Sequence, residues 1–390
     1  MQPIGSPPLQ HVIFSGGGTG GHLFPGLAVA ARLARSPPET QITFVGSGRE
    51  LERRLVAEAG YRYLAIDCRP FSWRPARLLP FMTAHLRGGW RARALLAQEQ
   101  ADVVVGLGGF ASVPLARAAV RQGVPLVLLE QNAIPGRANR WLTPHASLIC
   151  LALAEARAGL PRTNGRVLTT GNPLREGFDF QTRNKSVDPC ASRLLVVLGG
   201  SGGSRQLNQA VPEILALAGG HLAGWRVLHQ AGLADAAAVS KRYRERGLPA
   251  DAVDFIADVP GTLGSADLVI SRGGGTTLSE LAAAGVPAII CPLGHAAHDH
   301  QRRNAEVYAR RGACRVWQPQ WLDAVEMRKS LARELIPLLG DCQRRAELGR
   351  AMRSLAYPLA AHHVADEIRA LCTPQRSEPL ADSSSRRLWN

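Results

Sequence analysis

Two separate stretches of this 390-residue chain run through the same order of parts, and that duplication limits the fold more than any single motif. Ala101-Asp102-Val103-Val104-Val105 leads into GLGGF, a helical pattern, then Gly123-Val124-Pro125 and the apolar run Leu126 to Leu129. Ala266-Asp267-Leu268-Val269-Ile270 leads into SRGGG, a helical pattern, then Gly285-Val286-Pro287 and Ala288 to Cys291. A second correspondence joins His11 to Phe14, with its GGGTGG loop, to Leu194 to Leu198, with its GGSGGS loop. Short apolar strands that alternate with glycine turns and amphipathic helices build parallel sheets covered on both faces. The repeat therefore predicts an α/β protein of two Rossmann-like, doubly wound halves facing each other across a cleft. Residues 171–192, polar and aperiodic in their second part, read as the linker. We expect a first domain over 8–174, a second over 175–355, a closing helix at about 356–372 packed back on the first domain, and a disordered tail over 373–390.

Composition removes several classes of function. No run of about 18 uninterrupted apolar residues occurs, and MQPIGSPPLQ lacks the basic and apolar regions of a signal peptide, so a cytosolic chain is expected. The seven cysteines form no CxxC pair or zinc spacing and read as reduced thiols. The net charge of +15 comes almost wholly from arginine, since Lys185, Lys241 and Lys329 are the only lysines. Such a balance favours acidic partners, either anionic lipid head groups or phosphorylated metabolites; without zinc-finger, RNA-binding or lysine-tail signatures, nucleic acid is not expected. Between Phe71 and Leu96, Trp73, Phe81 and Trp90 interleave with Arg74, Arg77, Arg87 and Arg91. That mixture suits the interface of an anionic bilayer, or a core helix with an arginine-rich outer face.

The chemistry gathers at strand ends. Ser271 to Ala305 begins as strand, glycine loop and helix start, a natural anion site because first-turn N–H groups lack intrahelical acceptors. After the next strand come His295, His298, Asp299, His300 and Gln301, suited to sugar hydroxyls. In the first loop Gly16, Gly18 and Gly21 satisfy GxGxxG, but the following strand ends in Gly46-Ser47-Gly48-Arg49 with no carboxylate at its tip, which argues against a dinucleotide site. His22, set among glycines, suits a general base or a loop cap. Gly199 to Gly203 satisfies GxSxG, yet a hydrolase reading leaves the second glycine loop and LEQN unexplained. There is neither a P-loop nor a DxD pair. A departing diphosphate would then be stabilised by backbone N–H groups and a helix dipole, each contact worth about 0.3–1 kcal/mol.

GGGTGGHLFPGLAVA at 16–30, GLGGFASVP at 106–114, EQN at 130–132, GNPLR at 171–175, GGSGGSRQLN at 199–208, and SELAAAGVPAII and DHQRRNA within 271–305 together resemble the MurG-type N-acetylglucosaminyltransferases, over nearly all of residues 10–370. The resemblance implies a GT-B fold and inverting transfer of N-acetylglucosamine from UDP-N-acetylglucosamine to lipid I, giving lipid II. It implies no required cofactor, with a divalent cation at most non-essential, and peripheral attachment to anionic lipids at the cytoplasmic face of the bacterial inner membrane.

Carried over to this chain, Thr19, Gly20, Gly21 and His22 fall in the loop that faces the acceptor diphosphate, with His22 as general base. Asn132 would line the sugar site and Glu130 support the acceptor side. Arg175 and Ser201 would meet the diphosphate or uracil edge, and Ile256 would pack by the uracil with its backbone. Gly275, Thr276 and Thr277 would present N–H groups, Glu280 would accept from the ribose hydroxyls, and His300 and Gln301 would lie by the sugar. Phe110 stands where a tyrosine is common in the family, Leu129 where a histidine is, and His300 replaces a glutamine of some relatives.

Overall fold

Val103 and Val105 are buried in one hydrophobic core and Val104 in another, so this strand is apolar at every position because both faces of its sheet are covered. The same alternation places Leu195 and Val197 on one side of a second sheet and Val196 and Leu198 on the other. The computed structural model describes residues 9–35, 39–68, 75–178, 193–200, 202–292, 299–318 and 324–372. Phe71, Trp73, Arg74, Ser201, His295, His298, residues 179–192 of the expected linker and the tail lie outside them, as do the side chains of Arg77 and Phe81.

The first sheet holds β1 (His11–Ser15), β2 (Gln41–Gly46), β3 (Arg62–Ala65), β4 (Val103–Gly106), β5 (Leu126–Glu130), β6 (Leu148–Leu151) and β7 (Arg166–Thr169). Its helices are α1 (Gly20–Arg35), α2 (Glu50–Glu58), α3 (Pro75–Glu99), α4 (Val113–Gln122) and α5 (Arg137–Leu142). The second sheet holds β8 (Arg193–Leu198), β9 (Trp225–Gln230), β10 (Ala250–Val253), β11 (Leu268–Ser271), β12 (Ala288–Ile290) and β13 (Cys314–Val316). Around it lie α6 (Arg205–Ala218), α7 (Ala236–Glu245), α8 (Val259–Ser265), α9 (Gly275–Ala284), α10 (His300–Arg310), α11 (Ala324–Gly340) and α12 (Cys342–Arg353). The last helix, α13 (Ala360–Cys372), buries Val364, Ala365 and Ile368 with Val29 and Leu33 of α1 in the first domain's core.

All strand pairs are parallel, in the orders β3-β2-β1-β4-β5-β6-β7 and β10-β9-β8-β11-β12-β13. Strand order therefore reverses between β1 and β4 in one sheet and between β8 and β11 in the other. At such a switch point the loops leaving adjacent strands diverge to opposite faces and open a crevice at the carboxyl edge. The glycine loops singled out in the sequence are those loops. Strand bounds read from the sequence shift by one or two residues, because pairing with neighbours decides where a ladder stops.

In the second domain a neutral buried network holds two loops together. His229 is fully buried on β9; its Nδ1 lies 2.8 Å from the Tyr243 hydroxyl and its Nε2 3.1 Å from Asn208 Oδ1. Asn208 Nδ2 donates to Ala231 O and to Asp235, tying the start of α6 to the turn after β9. Burial lowers the His229 pKa to about 3. Above pH 6.5 both folded and unfolded chains keep this histidine neutral; below it only the unfolded chain takes up the proton, so stability falls. Urea unfolding followed from pH 7.5 to pH 4.5 should lose about 1.4 kcal/mol per pH unit more in the wild type than in His229→Gln below pH 6.5. Parallel pH profiles would show that the ring is protonated in the fold.

Candidate active site

The two carboxyl edges face each other and meet at backbone level. Gly275, the first residue of α9, lies so close to the first domain that a Cβ there would sit 2.1 Å from Gln131 O. Only glycine permits this approach. Beside it, Thr276 donates its hydroxyl to Gly21 O at 2.7 Å and accepts from Asn172 Nδ2 at 3.2 Å. Asn304 of α10, wholly buried, accepts from Ala133 N at 2.7 Å and donates to Asn132 Oδ1 at 3.0 Å and Gly273 O at 3.1 Å. Ala133, a first-domain residue, is buried among the side chains of the second domain's core.

Gly21, Gln131, Asn132, Gly275 and Thr276, which make these contacts, also line a cavity of about 990 Å³. Of the residues expected at the site, Thr19, Gly21, His22, Glu130, Asn132, Gly275, Thr276, Thr277, His300 and Gln301 line it. First-domain and second-domain loops thus contribute to one space, and the first turn of α9 lines its second-domain wall.

His22 stands in the first turn of α1, against the Gly108 backbone, with Nδ1 3.0 Å from Thr19 Oγ1. When Nδ1 donates to Thr19, Nε2 carries the lone pair that a general base needs. Burial lowers the His22 pKa; the nearby Glu130 charge opposes this in part and His300 adds to it. The imidazole is thereby kept neutral.

Several expected residues have other tasks. Glu130 is 3% exposed with both oxygens taken: Oε1 accepts from Asn132 N and Nδ2, and Oε2 from Gly136 N and Asn139 Nδ2. It organises the loop that carries Asn132. Glu280 is buried on α9 and pairs with Arg175 at 2.9 Å, while the Arg175 guanidinium lies over the Phe24 ring of α1 at 3.8 Å. Arg175 thus joins both domains, and neither it nor Glu280 lines the cavity. Burial raises the Glu280 pKa, against the pull of Arg175. Gly20 opens α1 beneath the Phe24 ring and does not line the cavity. The Ile256 side chain is packed into the second domain's core, 6% exposed. Gln301 accepts from Arg272 Nε at 3.2 Å.

Family comparisons agree with this geometry. Residues 12–150 match the glycosyltransferase family 28 N-terminal domain and residues 194–353 its C-terminal domain. The chain is 38% identical, over 93% of its length and 99% of the relative's, to the UDP-N-acetylglucosamine–N-acetylmuramyl-(pentapeptide) pyrophosphoryl-undecaprenol N-acetylglucosamine transferase of Syntrophotalea carbinolica. It belongs to the MurG family.

The enzyme of the same name from Geobacter metallireducens is 36% identical over 95% of this chain and 100% of its own. The crystal structure of MurG from Acinetobacter baumannii superposes with a TM-score of 0.72 at 28% identity, covering 93% of this chain and 99% of that one. Within this MurG-family fold, sequence reasoning missed Asn304 and Asn172 as bridging residues, although DHQRRNA and GNPLR contained them. Their signal, a buried amide at a domain contact, exists only once the domains are placed.

Asn304→Ala leaves the Ala133 N–H and the Gly273 carbonyl buried without this partner. An unmet buried polar group costs about 1–3 kcal/mol. Urea unfolding should show a loss of that size, together with reduced activity; an unchanged midpoint would mean that the bridge is not formed in solution.

Proposed function

We infer that this protein transfers N-acetylglucosamine from UDP-N-acetylglucosamine to the 4-hydroxyl of the muramic acid of lipid I, with inversion, forming lipid II for peptidoglycan synthesis. The observation that carries this reading is one cavity lined by His22 on the first-domain side and by the start of a ten-residue helix on the other. The relatives' name specifies the same donor sugar and a pyrophosphoryl-undecaprenol acceptor.

An inverting displacement needs a base for the attacking hydroxyl and stabilisation of the leaving diphosphate on the opposite side. His22 Nε2 would remove the hydroxyl proton as the glycosidic bond to UDP breaks. The N–H groups of Gly275, Thr276 and Thr277, with the positive end of α9, would hold the departing phosphate. Asn132, His300 and Gln301 would orient the sugar. Arg175, Ser201 and Ile256 would border the nucleotide. Glu280 would meet the ribose by exchanging part of its Arg175 contact for two hydroxyls. Backbone N–H groups supply the stabilisation, so no cofactor is required and a divalent cation is non-essential.

Among the described residues no helix is long and apolar enough to cross a membrane. We place the reaction at the cytoplasmic face, with attachment to anionic lipids supported by α3, whose Trp90 is 80% exposed and flanked by Arg87 and Arg91.

Transfer of radiolabelled N-acetylglucosamine to a short-chain lipid I analogue tests the reading. Wild type should form lipid II, His22→Ala should lose about 10²–10⁴ in kcat, and Glu280→Ala should raise the donor KM. Because burial disfavours the imidazolium, the acid limb of the wild-type pH profile should have its midpoint below pH 6.5 and should be absent in His22→Ala. A folded, UDP-binding wild type that makes no lipid II would overturn the assignment of substrates.

A further inference from the structure

The strand β2 ends without a carboxylate in sequence, but the fold brings one there. Glu52, in the first turn of α2, is 2% exposed and turns back toward the loop that follows β1. Its Oε1 accepts from Gly18 N at 2.6 Å and from the Ser47 hydroxyl at 2.9 Å. Its Oε2 accepts from Ser47 N at 2.9 Å, Arg49 N at 3.3 Å and the Tyr63 hydroxyl at 2.6 Å. Arg49 Nη1 donates to Gly18 O at 2.7 Å, so the residue two places before Gly20 is gripped at both its N–H and its carbonyl. The loop also touches the carboxylate directly: Gly17 has φ +147°, and a Cβ there would lie 2.7 Å from Glu52 Oε1. Thr19 and His22 follow within one turn of this clamp.

We propose that Glu52 is a positioning residue of the transfer reaction, its carboxylate holding the Gly16–Thr19 loop in the shape that seats the acceptor and aims His22. The inference rests on the transferase reading above. A carboxylate suits the place because it accepts at both oxygens and donates at neither. Three of the five groups that reach it are backbone N–H donors, which cannot reverse their role. They also divide unevenly, with Ser47 and Arg49 on Oε2 and Gly18 alone on Oε1. A glutamine at 52 would turn its NH₂ toward the side with fewer fixed donors, where the Ser47 hydroxyl can reverse and accept. Glu52→Gln therefore sets an N–H against the Gly18 N–H while keeping the remaining contacts, and strikes the loop selectively.

Steady-state transfer to a lipid I analogue, titration calorimetry with UDP and thermal melts of wild type, Glu52→Gln and Tyr63→Phe test this. Glu52→Gln should lose roughly tenfold or more in kcat/KM for the acceptor and bind UDP within about twofold of wild type, since UDP meets the other domain. Tyr63→Phe removes one bond from the opposite oxygen and serves as the stability control; it should keep at least about half of the wild-type transfer rate. Wild-type transfer by Glu52→Gln, losses in both variants that track their melting temperatures, or a parallel loss of UDP affinity would overturn the positioning role. A wild type that binds UDP but makes no lipid II would remove the transferase reading, and this inference with it.

Discussion

The contact between Gly275 and the Gln131 carbonyl is the constraint on which the site depends. Two parallel sheets can face each other at many separations, but a shared cavity needs the loops of one edge within reach of the other. A glycine at the first position of α9 allows backbones to touch, and Thr276 and Asn304 convert that touch into directed hydrogen bonds. Buried polar groups of this kind are favourable only in the geometry that satisfies all of them. The relative placement of the domains is therefore sharply defined, and with it the distance across which a sugar would pass.

Each half keeps its loops in place differently. In the first domain two buried carboxylates, Glu52 and Glu130, gather backbone N–H groups from the loops at the β1, β2 and β5 ends. Burying a charge is costly unless several donors surround it, and here the donors are the amides that need fixing. In the second domain the buried network of His229, Tyr243 and Asn208 is neutral at physiological pH, with Asn208 also donating to Asp235. A rigid first-domain loop set would suit the general base proposed above, His22, whose aim must be held within a fraction of an ångström. Arg175 sits between the halves, paired with Glu280 on one side and stacked on Phe24 on the other, so α9 and α1 share one guanidinium.

Much of this molecule was legible before any coordinates. Repeated apolar runs flanked by glycine turns identify the central strands β1, β2, β4, β5, β8, β11 and β12, because a doubly covered parallel strand has no polar face to interrupt its pattern, whereas edge strands such as β3, β7 and β10 are partly exposed and carry no such run. The glycine loops and His22 stand out in the sequence because they are local, written in consecutive residues; the structure adds that His22 and the first turn of α9 line one cavity. The sequence places no acidic residue at the tip of β2, yet Glu52 reaches that point from the next helix.

What the sequence determined by itself is the two-sheet architecture, the order of its parts, and the glycine loops at the strand ends, because periodicity and turn residues act over short stretches of chain. What only the tertiary structure decided is which buried carboxylates serve the loops and which amides join the domains. Glu130 and Glu280 look alike in sequence as acids beside a motif; one is saturated by four bonds from the loop and helix that follow its strand and the other is matched to an arginine 105 residues away. Whether a polar side chain is free for a ligand depends on how many partners the fold brings within about 3 Å of it. That number is set by chain segments distant in sequence, so no local pattern can carry it.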